Sequence, residues 1–207
     1  CPPGPYERAS LIANYLKKHK PKSKIIVLDA NADVVAKKPL FMKAWSTYYK
    51  GIFEYIPGKK VTAVDVANRT LLVEGIEEFK GDVVNFIPPQ RAAAIAAKAG
   101  LVGEDKKWCP VNVTTFESTL QKNIHVIGDS AIAGAMPKSG YSANSQAKVC
   151  AINVVALMNG KELTELSGIN VCYSAISDHE SISVAGVYAV KEGKIIGVPN
   201  SGGISPV

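Results

Sequence analysis

Residues 126–146 read VIGDSAIAGAMPKSGYSANSQ. The apolar run Asn123–Gly128, ending at Asp129, has the pattern of a short strand buried in a parallel sheet. Gly134, Pro137 and Gly140 then mark a loop. Tyr141–Met158 (YSANSQAKVCAINVVALM) reads as one long helix with small residues along one side, stopped by Gly160. Strand, carboxylate, glycine-bearing loop and helix, in that order, suit a cofactor cleft. A carboxylate at the C-terminal edge of a strand accepts hydrogen bonds from a polyol such as ribitol or ribose, and a helix N-terminus offers free N–H groups to an electron-rich ring or a phosphate. The same order also describes an ordinary strand, loop and helix, so this stretch alone leaves both readings open.

Upstream the same alternation recurs. Pro5–Lys20 places Ala9, Ile12, Ala13 and Leu16 at helical spacing, with lysines in the last turn and Pro21 beyond it. Lys24–Asp29 (KIIVLD) is a nearly all-apolar run expected to form a strand buried on both faces of a parallel sheet. A helix is expected over Leu40–Lys50, a small β-meander from Val61–Val66 and Thr70–Val73, and a further strand over Asp82–Ile87. Pro88 and Pro89 end that strand, and an alanine-rich helix follows to Lys98. Downstream of the long helix, β-type runs at Val171–Ile176, Ser181–Val190 and Lys194–Val198, with Glu192 and Gly193 as a turn, describe a small antiparallel C-terminal domain.

Cys1–Ala9 (CPPGPYERA) precedes the first helix, where a dinucleotide-binding fold carries its glycine-rich turn. Pro2, Pro3 and Pro5 have no N–H to give a pyrophosphate, and only Gly4 remains, so this turn is not read as an NAD site. It does set Cys1 beside a helix N-terminus, which favours a thiolate, with Glu7 one to two turns on as a proton acceptor. An inert cysteine in a proline-rich loop fits that position equally well, and Glu7 alone is more often a helix first-turn residue than a base.

The formal charge of +6 comes from lysines at helix ends, notably Lys17, Lys18, Lys20, Lys22 and Lys24. Without arginine clusters or interleaved aromatics they read as a solvated helix end and not as a nucleic-acid surface. No apolar run reaches the roughly 18 residues of a membrane-spanning helix. The cysteines at 1, 109, 150 and 172 match neither a CxxC pair nor a zinc spacing, and His19, His125 and His179 share no metal pattern. Cys150 reads as a core residue and Cys109 as structural. Cys172 opens a strand, and position alone does not reveal its reactivity.

Taken in order, CPPGPYERAS, FIPPQRAAAIAAKAGL, WCPVNVTTFEST, HVIGDSAIAGAMPKSGYSANSQAKV, NVCYS and PNSGGISPV closely resemble the flavoprotein subunit of flavocytochrome c sulfide dehydrogenase. The likeness runs along the whole chain, and CPPGPYERAS and MPKSGYSANSQ are long, unusual strings. The resemblance implies an α/β fold like that of glutathione reductase. Residues 1–89 would then form part of an NAD-type domain, 90–160 the C-terminal part of the FAD-binding domain, and 161–207 a truncated α+β flavin-binding C-terminal domain.

It further implies FAD as cofactor, with Cys1 and Cys172 as a redox-active disulfide and Glu7 in the same cavity. Gly128 and Asp129 would hold the ribityl chain, and the amides of Lys138, Ser139, Gly140, Tyr141 and Ser142 would stabilise the reduced ring. Sulfide would be oxidised to sulfur or polysulfide and electrons passed to a c-type cytochrome subunit in the periplasm. The family's N-terminal half and the segment after Val207 would lie outside this chain, leaving a fragment inactive alone, whose exposed sheet edge invites a homodimer. The alternatives are a quinone-reducing relative and a non-catalytic dimeric module. If the family fold is kept, the Cα atoms of Cys1 and Cys172 are expected within about 7 Å.

Overall fold

Glu7 in the first turn and Lys17, Lys18 and His19 in the last complement the dipole of helix α1 (Gly4–His19), whose first turn also accommodates Pro5. The computed structural model describes residues 3–206. They divide into two compact bodies, residues 3–88 with 173–182 and 206, and residues 89–172 with 183–205.

In the first body α1 packs on β1 (Ile25–Leu28), which pairs in parallel with β2 (Phe53–Ile56), Ile25 opposite Phe53 and Leu28 opposite Ile56. Helix α2 (Lys38–Tyr48) lies between them in sequence. The buried stripe of α1 is Tyr6, Ala9, Ser10 and Ala13, displaced toward the N-terminus from the expected Ala9, Ile12, Ala13 and Leu16. Polarity hid it, because Ser10 is fully buried, donating to the Tyr6 carbonyl at 2.8 Å and accepting from Trp45 Nε1 at 2.9 Å. The core gathers Tyr6, Phe41, Trp45 and Tyr49, with Trp45 stacked on Phe53 at 4.4 Å between ring centroids. Tyr6 and Tyr55 both donate to Asp29 Oδ2, at 2.7 and 2.8 Å, closing the end of β1.

Two expectations fail in this body. Strand β1 is not buried on both faces, since among the described residues it pairs with β2 alone and Ile26 is 46% exposed. The run Asp82–Ile87 is no strand. The meander comprises β3 (Val61–Asp65), β4 (Thr70–Val73) and an unanticipated β5 (Glu77–Lys80), and its last rung is Gly81 N–H to the Arg69 carbonyl. Beyond that rung Val83 is 88% exposed, because apolar residues without a neighbouring strand do not make a ladder.

The second body begins with the short α3 (Ala94–Lys98) and an irregular stretch to Ser139. Here the expected strand Asn123–Gly128 is reduced to an isolated bridge between His125 and Glu117. Asn123 and Gly128 both take positive φ, 61° and 69°, which cuts the extended backbone at each end, and Gly128–Ser130 forms a 3₁₀ turn. Helix α4 (Gly140–Met158) starts as expected, capped by Ser139, whose Oγ accepts from Ser142 N–H at 3.1 Å.

β6 (Ser167–Ala175) lies beside β7 (Ser181–Lys191), and both strands pass from one body into the other. β8 (Lys194–Gly197) and β9 (Gly203–Ile204) also pair with β7. Glu192 and Gly193, at φ 51° and 70°, supply the mirror-image turn that joins β7 to β8. Phe116, Met136, Val149, Cys150, Leu166 and Ile195 form the main core of this body.

Candidate functional site

The turn Gly128–Ser130 is held through its backbone on every side. Gln146, one turn beyond Ser142 on α4 and 1% exposed, accepts from Gly128 N–H at 2.7 Å. Lys138 Nζ donates to the carbonyls of Asp129 and Ala131 at 2.6 and 3.0 Å, and Cys109 N–H donates to the Ser130 carbonyl at 2.9 Å. Gly128 also lies so close to α4 that an added Cβ would come within 3.1 Å of Ala143 Cβ. What this bracing leaves over is the Asp129 carboxylate, exposed and accepting no hydrogen bond among the described residues.

Lys138 turns its side chain inward, its ammonium 3.8 Å from the centre of the Trp108 ring. Burial pulls its pKa below the usual lysine value, partly offset by the charge of Asp129. Its side chain therefore braces the loop. Ser139 Oγ caps α4, while the N–H groups of Gly140 and Tyr141 in the first turn, both exposed, meet no acceptor among the described residues. An unpaired carboxylate and free first-turn amides are the donor and acceptor set that a polyol chain and an electron-rich ring require.

Cys172 lies in the same body, on the buried face of β6 with Asn170 two residues before it, and is 9% exposed. Asn170 Oδ1 accepts from the hydroxyls of Ser139, at 2.5 Å, and Ser142, at 3.3 Å. Cys109 and Cys150 are buried thiols, and burial pushes the pKa of each up. Glu7 belongs to the first body, where its Oε1 accepts from Ala175 N–H at 3.0 Å, and it helps line a shallow groove of about 500 Å³ with Gly4, Arg8, Leu11, Ile12 and Tyr15. Cys1 lies outside the described residues, and so does its expected proximity to Cys172.

Residues 1–88 match the model described as the central part of the sulfide dehydrogenase [flavocytochrome c] flavoprotein chain, and residues 165–207 match the flavin-binding model of flavocytochrome c sulphide dehydrogenase, together more than half of the chain. The chain belongs to the flavocytochrome c sulfide dehydrogenase flavoprotein family. FAD, the cofactor expected from the resemblance, agrees with the flavin-binding description of the C-terminal model.

Solved structures share the expected α/β fold. The sulfide:quinone oxidoreductase of the hyperthermophilic bacterium Aquifex aeolicus superposes with a TM-score of 0.67 at 17% identity, covering 93% of this chain and 50% of that one. A ferredoxin reductase for the CYP199A2 system of Rhodopseudomonas palustris gives 0.59 at 17% identity, covering 93% and 52%. A NAD-dependent persulfide reductase from A. fulgidus gives 0.57 at 17% identity, covering 87% and 34%. The chain spans about half the length of the first two structures, or less for the third. No helix among the described residues is long and apolar enough to cross a membrane.

The sequence reading named Gly128, Asp129 and the start of α4 and did not name Gln146, Trp108 or Asn170, which the fold brings against them. Gln146 and Asn170 each had a signal: a polar residue on a face otherwise marked for burial, at i+4 from Ser142 and at i−2 from Cys172.

Proposed function

We propose that this chain carries the sulfur-handling and flavin-side residues of a periplasmic sulfide dehydrogenase that passes electrons to a c-type cytochrome subunit. The reading rests on one observation: Cys172 lies within the segment that matches the family's flavin-binding region, in the same body as the braced Asp129 turn and the free amides of α4.

Asp129 would hold the ribityl hydroxyls of FAD, and the amides of Gly140 and Tyr141 would face its ring, the Ser142 N–H being taken by the Ser139 cap. Gln146, Lys138 and Gly128 fix the direction of that carboxylate. Cys172 is assigned as half of a disulfide with Cys1. Hydrosulfide attacks one of these sulfurs, a new S–S bond forms to the incoming sulfur, the old S–S bond breaks, and the partner cysteine leaves as a thiolate. The product is a persulfide on one cysteine, with no net change in electron count. Glu7 is assigned as acceptor of the sulfide-derived proton. Bound FAD supplies the two-electron acceptor and the one-electron steps toward a haem. A disulfide that persists between turnovers suits an oxidising compartment.

The test is stopped-flow reduction of the flavin by sulfide in the intact flavin-loaded protein, followed by supply of either cytochrome c or a short-chain quinone. Sulfide should bleach the flavin in the wild type and not in Cys172→Ser, and cytochrome c should reoxidise it faster than quinone. A Cys172→Ser protein that bleaches normally would remove the cysteine assignment, and faster reoxidation by quinone would move the acceptor to the membrane.

A further inference from the structure

We infer that Asn170 is a positioning residue for sulfide oxidation, joining the flavin-side end of α4 to the strand that carries Cys172. The inference rests on the reading of Cys172 and the α4 N-terminus given above.

Asn170 is 2% exposed, yet it sits on a strand whose buried face would ordinarily be apolar. Its Oδ1 receives both the Ser139 and the Ser142 hydroxyl. Those two serines form the cap and first turn of α4, where Ser139 Oγ also accepts Ser142 N–H. One amide oxygen thus ties the helix cap to β6. Cys172 follows two residues later on the same face, about 7 Å along the strand. A second, independent link runs beside it, with Ser145 Oγ donating to the Ile169 carbonyl at 3.0 Å.

The other end of the amide is equally informative. Among the described residues Nδ2 donates to no acceptor, and no fully buried side-chain nitrogen or oxygen lacks a partner. An apolar residue of equal volume would fill the space and make neither hydroxyl contact. Asn170 sets the spacing between two parts that the chemistry needs at fixed separation, the sulfur that gives up electrons and the helix end that faces their acceptor.

The test measures flavin reduction by sulfide in the intact flavin-loaded protein for Asn170→Ala, Ser142→Ala, the double variant and Asn170→Asp. Loss of the tie should lower the limiting rate in Asn170→Ala by about tenfold, with the sulfide KM and the flavin content unchanged. The double variant should be no slower than Asn170→Ala, since the Ser142–Asn170 contact that Ser142→Ala removes is already lost in Asn170→Ala. Asn170→Asp keeps acceptor oxygens for both hydroxyls and should recover most of the rate, a rescue that also serves if the alanine variant does not fold. Rates within twofold of wild type in Asn170→Ala, multiplying effects in the double variant, or failure of Asn170→Asp to recover would each overturn the inference. Cys172→Ser separates the two levels: if it reduces flavin normally the reading beneath has failed, whereas if it is dead while Asn170→Ala is normal only the positioning role is lost.

Discussion

Replacing Gly128 by alanine probes how tightly the Asp129 turn is specified. The residue stands at φ +69°, a left-handed conformation that costs a residue bearing Cβ about 1–2 kcal/mol. The new methyl would also meet Ala143 Cβ at 3.1 Å, inside the roughly 3.5–4.0 Å of a relaxed carbon contact, and overpacking of this kind typically costs about 1–3 kcal/mol. Partial relaxation leaves a total of about 2–4 kcal/mol. The turn can absorb it only by pulling Gly128 N–H away from Gln146, which moves Asp129. If the whole cost falls on the flavin-bound state, affinity drops by about thirty- to a thousandfold. Flavin release followed by fluorescence, alongside thermal unfolding, separates a displaced site from a weakened body. Gly197→Ala, a position with open space around it, serves as the control. A Gly128→Ala protein that holds flavin within threefold of wild type and melts at the same temperature would refute the argument that backbone geometry at this turn directs the carboxylate.

Gln146→Met keeps the side-chain length but removes the acceptor for Gly128 N–H; flavin should bind about tenfold more weakly, and unchanged binding in a fluorescence titration would detach Gln146 from the site. Asn153, fully buried, donates to the carbonyls of Thr114 and Thr164 and accepts from Thr164 N–H, so Asn153→Ala strands three backbone groups and should cost about 2–4 kcal/mol in urea unfolding, with a loss under about 1 kcal/mol contradicting this. Burial alone would raise the Asp29 carboxyl, but hydrogen bonds from Tyr6, Asn31 and Tyr55 outweigh it and hold the pKa below the usual value. Its contribution is therefore complete above about pH 3.9 and lost as pH falls through the lower folded value, and Asp29→Asn should flatten the stability curve below about pH 4. Tyr6 shifts the other way, pushed up to about 12 by burial and then by Asp29, so its contribution holds below about pH 10 and disappears as pH rises through 12. Tyr6→Phe should lack that alkaline loss when unfolding is followed across the window.

Long helices were legible because their period repeats over several turns. Residues 141–158 were expected and Gly140–Met158 is observed, while 5–20 became Gly4–His19. Hairpin strands joined by a local turn were legible for a similar reason, since Glu192 and Gly193 announce the joint between β7 and β8. The failures were apolar runs whose strand character depends on a distant neighbour. Nothing local distinguishes KIIVLD, which found β2, from VVNFI, which found no ladder. Strand β2 itself, FEYI, went unread because Glu54 interrupts its apolar pattern. Asp129 was named because its carboxylate ends an apolar run ahead of glycines, a local signal. Lys138 was named by resemblance for its backbone amide; that its ammonium donates to the carbonyls of Asp129 and Ala131 and lies over Trp108 is visible only in the fold.

The polar residues buried along α4 explain why periodicity gave the helix but not the contacts that its buried face makes. Ser142, Gln146 and Asn153 share one stripe with Val149 and Cys150, and each reaches a different part of the second body. Ser142 meets the strand through Asn170, Gln146 meets the turn before Asp129, and Asn153 meets the loops at Thr114 and Thr164. Apolar contacts alone would let a helix settle into neighbouring positions at little cost, whereas hydrogen bonds require a donor and acceptor at set distance and weaken steeply as they bend. A stripe of purely apolar residues would bury α4 equally well and leave the relation between Asp129, the helix amides and Cys172 loose. Each polar position weakens the hydrophobic pattern by which a helix face is read from sequence. The feature that lowers legibility is thus the one that gives the proposed site its geometry.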